Sequence, residues 1–216
     1  TLTNSPLVST SYTLIVSDAN GCITSTTISV TVNPKPTINL INSYLKGCAP
    51  VCETFSLAQS QNPNYTYTWN FNNSVTGANI VSGQFKPYVC FGTQGIYNIN
   101  VTVSSTIGCS ASASFSNAIT VYPQPIADFN HAPIKPIINQ DPFVTFTDAS
   151  HGANIVSWNW YFMNTAQYTS TQQNPSFLYS EPGTYVVALV VKSDKGCTDT
   201  ILRELVVGED YGLYVP

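Results

Sequence analysis

The sequence predicts an all-β protein built from tandem β-sandwiches, and a near-repeat is the first observation behind that prediction. Tyr12–Cys22, Tyr97–Cys109 and Tyr185–Cys197 each begin with tyrosine, continue through a strand-like run and end in Gly-Cys. The closing cysteines are 87 and 88 positions apart. A fixed period of that size indicates repeated modules, each about as long as an immunoglobulin-like sandwich. The chain of 216 residues therefore has room for two complete modules and part of a third.

Strand patterns without helical patterns are the second observation. β-branched and aromatic residues alternate through Thr27–Val32, Ile99–Val103 and Tyr185–Val191. Glycine, proline, asparagine and aspartate separate these runs, as turn residues separate strands. The glycine before each repeated cysteine can take the positive φ that a hairpin with a bulge requires.

An aromatic strand and a later tyrosine occur at matching depth in both complete modules. Alternate residues of a strand share a face, so the aromatic residues are expected to enter the core together, where a sandwich keeps its buried tryptophan. The tyrosine follows Gly-x at the beginning of the penultimate strand, where a tyrosine corner ties its hydroxyl to the backbone. These six residues are Trp69, Phe71, Tyr97, Trp160, Phe162 and Tyr185.

Two Pro-x-Pro sequences, Pro34–Pro36 and Pro123–Pro125, mark the joints between modules. Proline removes backbone donors and favours extended geometry, so a module ends there and a semi-rigid joint begins. Two or three strands are marginal alone, so we expect the first segment to be completed by sequence upstream. The division is residues 1–33, the last strands of an upstream repeat; 34–124 and 125–208, two complete modules; and 209–216, a C-terminal linker.

Composition indicates a folded domain from an oxidising compartment. Charged residues are 8% of the chain and hydrophobic residues 43%, the reverse of what disorder requires. The seven lysines and arginines form no cluster and the net charge is −4, which argues against nucleic acid and against a polybasic membrane patch. Six cysteines favour disulfides over a zinc site. Without a signal peptide or a membrane-spanning apolar run, we expect a fragment of a secreted protein with no direct membrane insertion.

Three kinds of functional site can be considered from the residues alone. Asp148, Ser150 and His151 have the composition of a hydrolytic triad, but three side chains within four residues rarely reach relay geometry, so we predict no enzyme. Calcium is a minor alternative without a defined ligand set, and no other cofactor is predicted. Trp158 is the best candidate for stacking on a sugar ring, against the simpler interpretation that it packs in the core. The aspartates in or near turns are Asp18, Asp128, Asp148 and Asp194.

The order of motifs in the C-terminal module resembles the PKD domain, an immunoglobulin-like module of surface proteins. Asn174–Tyr179 reads Asn-Pro-x-x-x-Tyr, and Glu181–Tyr185 then supplies Pro-Gly-x-Tyr. The Gly-Asp-Gly that usually follows the aromatic strand is replaced by Asn72-Asn73 in one module and Met163-Asn164 in the other. The resemblance covers roughly residues 37–207 and implies two complete PKD-like sandwiches and one partial one.

The Gly-Cys turns, Pro-x-Pro joints and Gly47–Pro50 are also similar to the multi-repeat surface proteins of gliding bacteria that are exported by type IX secretion. In those proteins a C-terminal sorting domain follows the last repeat and often opens with Tyr-Val-Pro, as Tyr214–Pro216 does. The resemblance implies that residues 209–216 lead to such a domain, which would engage the secretion machinery. It also implies an O-glycosylation signal at Asp199–Ile201, with sugar on Thr200.

The sandwich topology that this resemblance implies predicts a disulfide within the central module. Cys52 begins the second strand, and Cys90 ends the strand before Gly95–Tyr97. Those two strands are antiparallel neighbours, so the Cβ atoms come within the roughly 3.5–4.5 Å that a disulfide needs. Closing that loop should stabilise the module by roughly 3–4 kcal/mol.

A second disulfide is expected between modules. Cys48 belongs to the loop between the first two strands, at the opposite end of its module from the Cys109 hairpin, so those two cannot bond. In a head-to-tail array, Cys48 instead faces the hairpin of the next module, which carries Cys197. We therefore predict a Cys48–Cys197 bond across Pro123–Pro125. Cys22 and Cys109 should be unpaired, because their partners would lie upstream.

The function that the sequence favours is a non-catalytic stalk of a large cell-surface adhesin, secreted to the bacterial surface and involved in gliding motility and attachment. Its partners would be adjacent repeats and, through the sorting domain, the type IX machinery. The alternative is a carbohydrate-binding accessory module of a secreted hydrolase, with surface polysaccharide as its ligand. A third hypothesis, recognition by the secretion machinery itself, depends only on closeness to the C-terminus.

Overall fold

The computed structural model describes residues 3–41, 44–71, 80–138, 140, 143–163 and 167–209. Asn72, Asn73, Asn164 and Tyr214–Pro216 lie outside these ranges, as does all of the expected C-terminal linker except Glu209. Eighteen strands account for the regular structure of the described residues. Within these ranges, no helix is long and apolar enough to span a bilayer.

The strands are β1 (Thr10–Ser17), β2 (Ile23–Val30), β3 (Leu40–Ile41), β4 (Leu45–Cys48), β5 (Val51–Thr54), β6 (Ser56–Leu57), β7 (Tyr65–Asn70), β8 (Ile80–Ser82), β9 (Tyr88–Phe91), β10 (Gly95–Ser105), β11 (Ser110–Tyr122), β12 (Phe129–Ala132), β13 (Phe143–Asp148), β14 (Ile155–Tyr161), β15 (Thr169–Ser170), β16 (Ser176–Leu178), β17 (Gly183–Ser193) and β18 (Thr198–Val207).

The first segment forms a two-stranded antiparallel sheet. β1 pairs with β2 from Thr10 opposite Val30 to Ser17 opposite Ile23. Apolar side chains on both faces of this hairpin are exposed, among them Leu14 at 56% and Ile15 at 63%. Two strands cannot form a sandwich core, and this hairpin buries no hydrophobic cluster of its own.

The central module, strands β3 to β11, is a complete sandwich. One layer is a five-stranded sheet in the order β4-β11-β10-β7-β8, and the facing layer contains the pairs β3-β6 and β5-β9. The alternation expected from the sequence appears in β10, whose inward residues Tyr97, Ile99, Val101 and Val103 are buried. They pack with Phe55, Trp69 and other residues into one core.

The C-terminal module, strands β12 to β18, has the same plan. The sheet β15-β14-β17-β18 faces the sheet β12-β13-β16, and a second hydrophobic core fills the space between them. The chain is therefore all-β, with two immunoglobulin-like sandwiches in tandem after a partial one.

The two cores repeat one aromatic arrangement. Trp69 stacks on Phe71 with ring centroids 6.0 Å apart, and Trp160 stacks on Phe162 at 6.3 Å. Each indole donates to a backbone carbonyl 2.9 Å away, that of Gln84 or Gln172. Burial of a tryptophan leaves its N–H in need of a partner, and both modules supply it in the same way.

Both tyrosine corners are also present. The Tyr97 hydroxyl donates to the carbonyl of Thr93, and the Tyr185 hydroxyl donates to that of Glu181 at 2.7 Å. In each case the acceptor is four residues upstream, so the tyrosine ties the beginning of the penultimate strand to the loop before it.

Cys48 differs from its sequence-based prediction. It was expected in a loop, but it is the last residue of β4, which runs parallel to β11 with Cys48 opposite Tyr122. The short sequence Leu45–Cys48 lacks the alternating pattern of a strand. It becomes one because the edge of β11 offers unpaired backbone groups, which β4 satisfies.

Candidate functional site

Hydrogen bonds and a disulfide hold the joint between the two complete modules. The first part of this joint is the Gly-Cys hairpin. In the C-terminal module, Ser193 N–H donates to the carbonyl of Cys197 at 2.8 Å, and Gly196 N–H donates to that of Ser193 at 2.9 Å. The Ser193 hydroxyl accepts the Cys197 N–H at 3.1 Å. Gly196 has φ +86°, which L-residues with side chains rarely adopt.

The hairpin at Cys109 repeats these contacts with Ser105, at 2.8, 3.1 and 3.0 Å. The hairpin at Cys22 repeats them with Asp18, whose carboxylate accepts the Cys22 N–H at 2.8 Å. Three equivalent turns thus present three cysteines in the same way, one at the tip of each module.

The linker Pro123–Pro125 is hydrogen-bonded to the C-terminal module. Gln124 Nε2 donates to the carbonyl of Thr198 at 2.7 Å. Three residues on, the Ala127 N–H donates to Asp199 Oδ2 at 2.7 Å. Ile126 and His151 exchange backbone hydrogen bonds of 2.7 and 3.0 Å. Proline restricts the linker conformation and these bonds fix its direction, so the linker is held as part of the module it enters.

Gly152 allows the linker to approach this closely. Its φ is +92°, and a Cβ atom built there would lie 3.0 Å from the carbonyl oxygen of Gln124. Any side chain at this position would therefore meet the backbone of the linker as well as an unfavourable φ.

The disulfide Cys48–Cys197 closes the joint. Its Cα atoms are 5.6 Å apart and its sulfur atoms 2.06 Å, within the normal range for a disulfide. Cys197 is 1% exposed, so the bond is shielded from solvent on that side. The bond connects the end of β4 in one module to the hairpin tip of the next, as the sequence predicts.

The second disulfide, Cys52–Cys90, lies within the central module. Its two residues are directly opposite in the β5–β9 pair, with Cα atoms 3.9 Å apart. The pairing is the expected one. Cys22 is a free, exposed thiol, and Cys109 is a free, half-buried one.

Sequence reasoning missed a cluster around Arg203. Its guanidinium forms an ion pair with Asp128 at 2.6 Å, donates to the carbonyl of Phe129 and lies over the ring of Phe129, 5.2 Å from its centroid. Asp128 and Arg203 are 75 positions apart, and no local pattern connects them. The cluster connects the beginning of β12 to β18.

Asp148, Ser150 and His151 do not form a relay. The Ser150 hydroxyl donates to the carbonyl of Asp128 at 3.1 Å, and His151 Nδ1 lies 3.4 Å from the carbonyl of Ala149. Asp148 instead accepts from the Ser150 N–H and from Trp158 and Gln173 side chains. Partial burial alone would raise the pKa of Asp148, but these hydrogen bonds outweigh it and hold the pKa below its usual value.

The other sequence-based candidates are separated in the structure. Among the described residues, no three His, Cys, Asp or Glu side chains gather as a metal site, and Asp194 pairs with Lys195 at 3.0 Å. Trp158 is half-buried against the core, and its indole N–H donates to Asp148 Oδ2 at 2.7 Å. Thr200 is exposed on β18.

A cleft of about 790 Å³ on the central module is lined half by uncharged polar residues and otherwise by apolar residues and one lysine. Its polar side chains include Gln59, Gln61, Gln84 and Lys86, and the ring of Phe85 forms part of its wall. Amide and hydroxyl groups without carboxylates suit a neutral, hydroxyl-rich ligand better than a cation.

Known proteins resemble the C-terminal part of the chain most directly. Residues 123–207 match the family model for the PKD domain. The PKD1 domain of Vibrio anguillarum Epp is 30% identical, over 40% of this chain and 96% of that domain, with a TM-score of 0.35. The PKD1 domain of the Vibrio cholerae metalloprotease PrtV is 32% identical, over 39% and 98% respectively, with a TM-score of 0.34.

The tandem arrangement has a more distant likeness. The N-terminal eight Ig domains of Down syndrome cell adhesion molecule isoform 1.30.30 align with 93% of this chain over 27% of their own length, at 11% identity and a TM-score of 0.51. At that identity the likeness shows the immunoglobulin-like fold alone. No curated protein matches the chain. Through residues 123–207, the chain therefore belongs to the PKD-domain family.

Proposed function

We propose that this chain is a non-catalytic spacer segment of a large, secreted cell-surface adhesin. The observation that carries the proposal is the joint. One disulfide and a set of linker hydrogen bonds hold the C-terminal module against the central one. A catalytic or ligand-binding pair of domains commonly benefits from relative motion, whereas a stalk benefits from a fixed joint. Disulfides of this kind also fit an extracellular location.

Small-angle scattering and negative-stain imaging test the spacer function. The oxidised chain should be elongated, with a narrow distribution of angles between the two modules. The double variant Cys48→Ser/Cys197→Ser should keep both modules folded and broaden that distribution. A compact globule, or equal angular spread in both proteins, would contradict the proposal.

The finer context follows from the resemblance in the sequence. We propose that residues 209–216 lead to a sorting domain for type IX secretion, that the parent adhesin acts in gliding and attachment, and that the central module is also PKD-like. Thr200 is exposed, as an O-glycosylated residue must be. Export and glycosylation are measured together, by surface labelling and mass spectrometry in a gliding bacterium with and without the secretion system. Surface display that is unchanged without that system would contradict the export route.

A second candidate is an accessory module that binds carbohydrate for a secreted hydrolase. Two observations favour it: one PKD relative is a domain of a metalloprotease, and the central module has the amide-lined cleft beside Phe85. A glycan array with the wild-type chain and with Gln59→Ala/Gln61→Ala tests it. Binding that is lost in the variant supports this candidate, and signals at background remove it.

A further inference from the structure

The hairpin at Cys109 has the geometry of a bonded joint. Its backbone and side-chain hydrogen bonds match those of the Cys197 hairpin, and its glycine, Gly108, has φ +87° beside +86° for Gly196. Cys197 is bonded to Cys48, while Cys109 is a free thiol. Two hairpins of the same construction thus differ only in what they meet.

Cys109 also lies beside the first Pro-x-Pro linker. Its Sγ lies 3.9 Å from the carbonyl oxygen of Asn33. Asn33 precedes the first Pro-x-Pro linker just as Tyr122 precedes the second. In the bonded joint Tyr122 lies opposite Cys48, the residue that bonds the hairpin. The position opposite Asn33 is therefore where a cysteine would reach Cys109.

The chain immediately after β2, residues 31–33, has an open edge at that position. Val32 N–H is directed toward the β1 side, where it donates to the Ser9 hydroxyl at 3.0 Å. Backbone groups alternate in direction along an extended chain, so those of Thr31 and Asn33 are expected to face the other edge. Thr31 corresponds to Thr120, which pairs with Lys46 of β4. Among the described strands, none other than β1 pairs with β2.

The β1–β2 hairpin also lacks a covering layer among the described residues. Leu14, Ile15 and Val16 are 56%, 63% and 52% exposed, and successive residues of a strand point to opposite faces. A hairpin with two apolar faces requires more strands of its own sandwich. The central module shows their arrangement, because there β4 runs parallel to β11 at the same edge.

We propose that Cys109 is the acceptor of a second intermodule disulfide. Its partner is a cysteine in the strand that runs parallel to the end of β2, opposite Asn33, within the sandwich to which β1 and β2 belong. Two thiols form one S–S bond, and their two protons and two electrons pass to a disulfide oxidant, which becomes two thiols. The inference rests on the proposed spacer function, since such a bond would repeat the same locked joint along a stalk.

Cys22 provides the internal control. It has the same hairpin contacts, through Asp18, but it is exposed, and no linker carbonyl of the described residues lies beside it as Asn33 lies beside Cys109. If all of these hairpins favour disulfide exchange, both thiols should react with the probe to the same extent. If the joint provides a binding site for the partner strand, only the reaction of Cys109 should be favoured.

The experiment adds to the chain a synthetic copy of β4, the strand that carries the disulfide-bonded Cys48. The probe is a synthetic peptide with the sequence of residues 44–50, Tyr-Leu-Lys-Gly-Cys-Ala-Pro, supplied as its glutathione mixed disulfide to the oxidised 216-residue chain. Peptide mapping then measures peptide and glutathione adducts on Cys22 and Cys109. A peptide that binds the open edge as a strand has a raised effective concentration beside Cys109. The ratio of peptide adduct to glutathione adduct should therefore be about tenfold higher at Cys109 than at Cys22.

Two variants make the test specific. Thr31→Pro removes an N–H from the open edge of β2 and should bring the Cys109 ratio down to that of Cys22, whereas Thr31→Ala keeps the N–H and should leave it high. A scrambled peptide should show no preference. Equal ratios at Cys22 and Cys109, or an unchanged ratio in Thr31→Pro, would overturn the inference. Scattering of the same chain reports on extension independently, so the spacer function and this site can fail separately.

Discussion

Removing the intermodule disulfide should destabilise both modules, although the bond lies between them. The perturbation is the double substitution Cys48→Ser/Cys197→Ser. When only the C-terminal module unfolds, Cys48 stays fixed beside Tyr122, so the bond closes a loop across the 75 positions that separate Tyr122 from Cys197. When only the central module unfolds, Cys197 stays fixed near the linker, and the loop covers the 74 positions that separate Cys48 from Tyr122.

The two loops are almost equal in length, and so are the expected effects. The chain-entropy relation gives about 4 kcal/mol at 25 °C for closing a loop of either size. At a guanidinium m-value of about 2 kcal/mol per molar, each module should lose about 2 M in its unfolding midpoint when the bond is removed. The two losses are not additive, because each assumes that the other module remains folded.

Tryptophan fluorescence separates the modules. Trp69 is the only tryptophan in the central module, and Trp158 and Trp160 are in the C-terminal one. A Trp69→Phe protein therefore reports the C-terminal module, and a Trp158→Phe/Trp160→Phe protein reports the central one. Each is compared with and without the bond, in a background that also carries Cys22→Ser and Cys109→Ser to prevent disulfide exchange.

The result that would refute the reasoning is a shift in one module alone. It would mean that one folded module does not hold its cysteine close to the linker when the other module unfolds, so the disulfide would not close the short loop assumed for that module. Unchanged midpoints in both modules would contradict the same reasoning more broadly. The background without free thiols should itself unfold at the wild-type midpoints.

Three further outcomes are expected. Cys52→Ser/Cys90→Ser should lower the stability of the central module alone by about 4 kcal/mol, measured by denaturant unfolding, because the bond closes a separation of 38 residues. Asp148 has a lowered pKa in the fold, so its contribution is complete above its usual pKa of about 3.9 and is lost as pH falls through the folded value. Asp148→Asn should therefore flatten the fall in melting temperature of the C-terminal module below pH 4; an unchanged slope would count against this. Gly152→Ala should cost the C-terminal module about 1 kcal/mol more than Gly196→Ala, because both have positive φ but only Gly152 also meets backbone; equal melting temperatures would show that the linker contact is unimportant.

Local periodicity in the sequence was sufficient to predict most of the fold. The spacing of the Gly-Cys turns defines the module length, and the Trp-x-Phe strand places Trp69 and Trp160 in their cores at 0% exposure. The disulfide pairs could be inferred because a sandwich has few ways to bring strand ends together. The exact residues at which the modules begin and end were inferred from the Pro-x-Pro linkers and stay predictions.

The features that local patterns could not predict depend on contacts between distant residues. β4 is a strand only because β11 offers it an edge, and Arg203 reaches Asp128 across 75 positions. Ser150 and His151, although adjacent to Asp148, turn to different carbonyls because neighbouring loops offer those acceptors. No local alternation of apolar and polar residues predicts which of these contacts will form.

By itself, then, the sequence determined the all-β class, the repeat length, the aromatic cores and the identity of the bonded cysteines. Each follows from periodicity, turn chemistry or the limited reach of a disulfide, and all of these act over short distances or within a known topology. The tertiary structure alone decided how the joint is built. It aligned Cys48 with Tyr122, anchored Gln124 to Thr198 and left Cys109 beside Asn33, because those contacts depend on where folded surfaces meet.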